Sequence, residues 1–251
     1  MRRGALLPIA LLVSGLAISP AGRSLDRSGG GEALPRLMLW AWERPTDLRD
    51  LDAHAGVAFL SQTLVVRNDA VRVVPRRSPL RVSPATALVA VTRIEIGEGG
   101  GRALGEPAVA TMADAIARTM ALPRVRGVQI DFDAAESERT FYRALVVAVR
   151  KTLGPDVPLS ITALASWCAE DRWLNGLPVD EAVPMLFRMG PAAAVLRAQW
   201  GIGTVAPKCR TSRGVSLDEA APRRGGSGRT YVFNPGPWNA AAIRAAVEED
   251  R

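Results

Sequence analysis

Histidine is nearly absent from this chain: its 251 residues hold one, His54, together with two cysteines and two lysines, Lys151 and Lys208. A zinc site built from several His or Cys cannot be assembled from that stock, so no metal centre is expected. A Ser–His–Asp triad would have to recruit His54. Long apolar runs are lacking except at the N-terminus, which excludes a polytopic membrane protein. Aromatic residues make up only 5%, although Trp, with six, is the commonest of them. What is abundant is ordinary core material, 48% hydrophobic, which excludes disorder as the main state. The length suits one large domain or two small ones.

Lys and Arg total 32 against 25 acidic residues, a formal charge of +7, and Arg supplies nearly all of the positive side. The Arg are scattered among Asp and Glu. The densest runs, Arg76-Arg77 and Arg223-Arg224, sit beside Pro and Gly in expected loops. No basic stripe alternates with aromatics, so no nucleic-acid partner is expected and the charge reads as solvated surface. An acidic partner is the competing reading.

Arg2-Arg3 precedes an apolar stretch from Ala5 to Ile18, followed by Ser19-Pro20-Ala21. This is the three-part form of a secretory signal peptide over residues 1–21, cleaved after Ala21. The alternative is an uncleaved anchor, the one route to membrane contact, although the stretch falls short of the roughly 20 residues of a spanning helix. Residues 22–35, rich in Gly, Ser and Arg, read as a flexible linker, and 36–251 as the folded domain. The expected location is periplasmic or secreted. In an oxidising compartment Cys168 and Cys209 are expected to pair; two separate buried thiols are the alternative.

Along the rest of the chain, short apolar or alternating runs alternate with helical patterns. Strands are expected at Leu37–Trp42, Val57–Val66, Ala87–Ile96, Val125–Asp133, Leu159–Trp167, Ala182–Met189, around Gly203–Pro207, and at Thr230–Asn234. Helices are expected at Thr46–Ala55, Pro107–Ala121, Glu136–Leu153, Asp171–Leu177, Pro191–Trp200 and Asn239–Glu249. Asn68-Asp69 between Val-rich arms predicts a hairpin inserted after the second strand. Eight strands alternating with helices fit an α/β fold, a single (β/α)8 TIM-like barrel. A doubly wound open sheet is the alternative, weakened because no Gly-rich phosphate loop follows a strand. No cofactor is called for.

The chemistry falls at the strand ends. In Gly127-Val128-Gln129-Ile130-Asp131-Phe132-Asp133, strand alternation puts Val128, Ile130 and Phe132 on one face and Gln129, Asp131 and Asp133 on the other, which points into a barrel. Two carboxylates so close repel, and one pKa rises, giving a proton donor beside a tuning carboxylate. A structural ion network with inward Arg is the competing reading. Trp40, Trp42 and Glu43 end the first strand, Arg93 and Glu95 share a face of the third, and Ser160, Thr162 and Ser166 alternate on the fifth. Trp167, Arg188 and Trp238 follow at later strand ends. Trp rings beside carboxylates suit a poly- or oligosaccharide, although any one Trp has core packing as its alternative.

Trp40-Ala41-Trp42-Glu43-Arg44-Pro45, Arg93-Ile94-Glu95, Gly127–Asp133, Ile161–Cys168, Pro178–Met185 and Phe187–Gly190 resemble the bacterial domain-of-unknown-function family 3142. Gly127–Asp133 is also similar to the fourth-strand signature Gly-x-Asp-x-Asp-x-Glu of chitinase-type glycoside hydrolases. In that register Gln129 falls on the first Asp, Asp131 on the second and Asp133 on the catalytic Glu. Met185-Leu186-Phe187-Arg188 resembles the sixth-strand Met-x-Tyr-Asp, with Phe187 lacking the phenol and Arg188 reversing the charge. The resemblance implies a carbohydrate-active barrel with Asp133 as proton donor, tuned by Asp131, and Glu43 or Glu95 as second carboxylate. Trp40, Trp42, Arg93, Gln129, Trp167, Arg188 and Trp238 are the expected substrate contacts. A non-catalytic glycan-binding barrel and an envelope interaction protein are the alternative functions.

Overall fold

The computed structural model describes Met1 and residues 34–250, less 68–69, 98–103, 170, 172, 202–204 and 222–227. The signal segment and the linker as far as residue 33 lie outside the described residues, as does the Asn68-Asp69 turn. Among the described residues no helix is long and apolar enough to cross a membrane.

The first half of the domain is mostly strand: β1 (Leu37–Ala41), β2 (Thr46–Leu48), β3 (Ala55–Arg67), β4 (Ala70–Pro75), β5 (Leu80–Val82) and β6 (Leu88–Ile96). Helices enter after it: α1 (Glu106–Arg118), β7 (Val125–Asp131), α2 (Arg139–Leu153), β8 (Leu159–Leu164), α3 (Ala165–Ala169) and β9 (Glu181–Met185). The chain ends with α4 (Ala193–Gly201), β10 (Ser212–Ser216), β11 (Arg229–Phe233) and α5 (Ala240–Glu249).

Eight of these strands run parallel in the order β1, β3, β6, β7, β8, β9, β10, β11, and β1 pairs with both β3 and β11. The sheet is therefore a closed barrel, as the alternating pattern predicts. The expected hairpin is present: β4 folds back antiparallel on β3, from Gln62 opposite Pro75 to Arg67 opposite Ala70. Together β3, β4 and β6 extend past the barrel rim and pack Leu64, Val66 and Ile94 with Met112 and Ile116 of α1.

Side-chain alternation sorts each barrel strand into two layers. Outward residues such as Val128, Ile130, Leu159 and Ile161 pack under α1 and α2, where Phe141, Leu145 and Val149 recur at the four-residue spacing of one helix face. Inward residues fill the barrel itself: Met38, Trp40, Ala58, Val89, Val91, Val183 and Tyr231 form its apolar plug. Two glycines make room for the large ones. A Cβ on Gly56 would lie 2.6 Å from the Met38 sulfur, and one on Gly214 2.7 Å from the Trp40 ring. The opposite end from the cavity described below is closed by Glu181, which accepts hydrogen bonds from Arg229 (2.7 Å) and the buried Tyr231 hydroxyl (2.6 Å). Arg229 also donates to the carbonyls of Leu34 and Pro35, tying the start of the domain to its last strand.

Several expected elements differ. Thr46–Ala55 is not a helix: Thr46 and Leu48 are buried and Asp47 exposed, a period of two, and the segment pairs with β5 as β2. Asp171–Leu177 has no helix among its described residues; Leu174 and Leu177 anchor turns in the outer core. The fifth strand stops at Leu164 rather than Trp167, because α3 begins at Ala165. The sixth stops at Met185 rather than Met189. The seventh is Ser212–Ser216, not Gly203–Pro207. Of that segment, residues 203–204 lie outside the described residues and Pro207 opens a short 3-10 turn, Pro207–Cys209. Cys168 of α3 and Cys209 of this turn form a disulfide.

Candidate active site

The parallel strands end together, and their C-terminal ends surround a cavity of about 510 Å³. Its depth is set by Trp40, the last inward residue of β1. The indole Nε1 donates to Gln129 Oε1 at 2.7 Å, and Gln129 in turn donates to Ser160 Oγ at 3.1 Å. Gln129 thus lies fully buried beneath the ring, holding Trp40 in place. It does not line the cavity, which corrects its assignment as a substrate contact.

Strand β7 delivers the carboxylates. Asp131, buried at the strand end, accepts from Arg93 (2.8 Å) on β6 and from Thr162 (2.8 Å) on β8. The matching register, with Arg93 beside Asp131, brings the guanidinium there. Asp133, two residues on and on the same face, reaches the cavity wall and has no hydrogen bond to a described residue. Its carboxyl touches solvent at the mouth, yet the crowding walls partly desolvate it. That desolvation, with the Asp131 charge second, raises its pKa above the ordinary value against the opposing pull of Arg93. Behind the pair, the Tyr142 hydroxyl of α2 is fully buried with no hydrogen-bond partner among the described residues. Burial, then the charges of Asp131 and Asp133, push its pKa well above the usual range.

The rest of the wall is aromatic. Phe187 and Phe233 stack at 5.6 Å, Phe187 meets Trp40 edge-on at 6.3 Å, and Trp42 meets Phe233 at 6.4 Å. Met185 and Leu196 add apolar surface. Arg188 stands at the rim with its guanidinium 5.1 Å above the Phe233 ring. Phe233 was not singled out in the sequence, although its parity with Tyr231 on β11 is the signal that places it inward.

The structure brings Trp40, Trp42, Arg93, Asp131, Asp133 and Arg188 together and leaves other expected residues outside the cavity wall. Glu43 is exposed and accepts from the backbone N–H groups of Arg77 and Ser78. Slight burial raises its pKa, but the hydrogen bonds from Ser78 and Arg77 and the Arg76 charge outweigh it and leave the carboxyl below its ordinary value. Glu95 is exposed beyond the rim and accepts from Arg93 Nε at 3.2 Å. Neither carboxylate is the cavity's second one. Trp167 packs edge-on against Trp173 at 4.8 Å in the outer core, because the switch from strand to helix at Ala165 breaks the alternation used to place it. Trp238 is buried outside the barrel, and its Nε1 donates to the Trp40 carbonyl at 2.9 Å. Arg76 is a further correction. Instead of facing solvent, its guanidinium donates to the carbonyls of Ala41, Trp42, Arg44 and Leu60, fixing the loop that carries Trp42. Among the described residues no group of three His, Cys, Asp or Glu side chains gathers to hold a metal ion.

No family model matches the chain, family 3142 included, and no curated protein does. Solved structures do. The Streptomyces coelicolor protein assigned as chitinase A aligns with a TM-score of 0.55 at 14% identity, over 86% of this chain and 97% of that one. A family GH18 chitinase from Chromobacterium violaceum aligns with a TM-score of 0.51 at 11% identity, over 88% of this chain and 83% of that one. At these identities the likeness shows the fold, a closed α/β barrel like those of the two structures.

Proposed function

We propose that the chain is an exported, carbohydrate-active barrel that cleaves a glycosidic bond in a poly- or oligosaccharide, with Asp133 as the proton donor. One observation carries this reading: a carboxyl of raised pKa, beside a second carboxylate held by hydrogen bonds from Arg93 and Thr162, faces an aromatic cavity at the C-terminal end of a barrel. The rings of Trp42 and Phe187 offer the apolar faces on which sugar rings stack. Asp133 transfers its proton to the glycosidic oxygen as the bond to the anomeric carbon breaks, and the bonding electron pair leaves with that oxygen. The Asp133 carboxylate then takes a proton from the water that completes hydrolysis. Asp131, held by its two donors, places beside Asp133 a charge that favours the proton there. The signal-peptide pattern and the Cys168–Cys209 disulfide support export to an oxidising compartment.

The test is a glycan panel read by new reducing ends. Asp133→Asn keeps the shape but removes the transferable proton, so turnover is expected to fall by about 10²–10⁴-fold while binding survives. Undiminished turnover overturns the assignment. A non-catalytic glycan-binding barrel is favoured by one observation, that neither Glu43 nor Glu95 reaches the cavity. On that reading no glycan is cut and Asp133→Asn alters affinity alone.

A further inference from the structure

We infer that the cavity selects an acidic glycan, one whose sugar carries a carboxylate, and that Arg188 is the residue that recognises it. This rests on the cavity being a sugar site. The charges on its wall are two Arg and two Asp. Arg93 is committed, bound to Asp131 at 2.8 Å and to Glu95 at 3.2 Å. When Asp133 holds its proton, the wall therefore carries one positive charge without a close partner inside the cavity, that of Arg188.

Arg188 is built into position. Its backbone is left-handed, φ +52°, a conformation that L side chains rarely adopt. The following turn, with Gly190 at φ +62°, would accommodate glycine at either place. The conformation is held by Glu219, which accepts from the Arg188 N–H at 3.0 Å. It sends the guanidinium over the face of Phe233 at 5.1 Å, at the edge of the aromatic wall where a sugar ring would stack. Among the described residues its one ion-pair contact is with Asp218 at 3.9 Å, both side chains being about half exposed. Such a pair is weak, and a ligand anion displaces it readily. A planar guanidinium fork fits a carboxylate in bidentate fashion. At the adjacent position Phe187 presents no hydroxyl with which to hold a neutral amide substituent, so this corner of the site offers charge in place of hydrogen bonds.

The experiment is calorimetric binding to the mature chain carrying Asp133→Asn, which prevents turnover. It compares oligogalacturonate, a sulfated oligosaccharide and a neutral chito-oligosaccharide of equal length. The uronate is expected to bind at least about tenfold tighter than the neutral glycan, the size of one charge-assisted hydrogen bond. The preference shrinks as salt is added. Arg188→Gln abolishes the preference for the uronate over the neutral glycan, and Arg188→Lys, which keeps charge but loses the fork, restores only part of it. Arg188→Asn suits the left-handed backbone and serves as the second variant should Arg188→Gln fail to fold. Equal affinity for acidic and neutral glycans, a preference untouched by these variants, or a preference for sulfate over carboxylate each overturns the inference. Arg188-dependent uronate binding with no cleavage by the unsubstituted chain upholds it and defeats the hydrolytic reading. Cleavage of neutral glycans without charge preference does the reverse.

Discussion

Asp131 and Asp133 are the same side chain in two environments two residues apart. Asp131 is buried and accepts two hydrogen bonds; Asp133, more open to solvent, accepts none from the described residues and is partly desolvated beside a neighbouring charge. Burial and Asp131 raise the Asp133 pKa, so the folded chain holds that proton more tightly than the unfolded one. Its contribution to stability is therefore full at acid pH, below the ordinary carboxylate value, and is lost as the pH rises past the raised folded value. For a general acid the same shift sets the alkaline limb of the pH–rate profile. Asp131→Asn removes one cause of the shift and leaves the Arg93 charge less compensated, so that limb is expected to move to lower pH. A pH–rate series on any cleaved glycan checks it, and an unmoved or higher limb would show that Asp131 does not tune Asp133. The substitution is also expected to cost about 1–3 kcal/mol, since a buried charge-assisted hydrogen-bond set is weakened.

Among the elements, those legible in the sequence are the ones whose pattern is local. Along β7 and the two residues after it, the alternation of Val128, Ile130 and Phe132 with Gln129, Asp131 and Asp133 needs no knowledge of the neighbours, and both faces lie as read, although the strand itself stops at Asp131 rather than Asp133. In β10, Ser212-Arg213-Gly214-Val215-Ser216 has no apolar run, because its inward glycine is dictated by the Trp40 ring across the barrel. Trp167 and Trp238 were misplaced for a related reason: where a strand stops decides which layer the next side chain enters, and tertiary packing decides where it stops. The disulfide was readable from compartment logic, but its job was not. It joins α3, which follows β8, to the turn before β10, and the Ala206 N–H donates to the Cys168 carbonyl at 2.8 Å beside it. The link therefore brackets β9 and α4, and with them Phe187, Arg188 and Leu196 of the cavity wall. Closing a loop of 41 residues is worth about 4 kcal/mol in the chain-entropy model. Cys168→Ala with Cys209→Ala is expected to lower unfolding free energy by about that much and to weaken ligand binding through the loosened wall. A denaturant titration showing a loss under about 1 kcal/mol would mean that packing alone fixes this segment.

At the scale of the whole molecule the barrel divides its work between two ends. The C-terminal end holds the cavity, with polar groups aimed at open space; the other is sealed by Glu181, Arg229 and Tyr231, whose polar groups are aimed at one another. Between them lies the plug of Met38, Trp40, Val89, Val91, Val183 and Tyr231, which keeps the ends apart. The sealed end serves stability, because Arg229 there also grips the Leu34 and Pro35 carbonyls at the start of the domain. Glu181→Ala removes the acceptor of the buried Tyr231 hydroxyl and one acceptor of the partly buried Arg229, which keeps the Leu34 and Pro35 carbonyls, and an unsatisfied buried polar group costs about 1–3 kcal/mol. The midpoint of unfolding is expected to fall accordingly, while folded molecules bind their glycan as before. Asp133→Asn is expected to do the opposite, changing turnover with little effect on the midpoint because its carboxyl makes no hydrogen bond to a described residue. Measuring both variants by denaturant unfolding and by glycan binding separates the ends. If Glu181→Ala abolished binding in molecules that remain folded, the two ends would be coupled through the plug, and the division drawn here would be wrong.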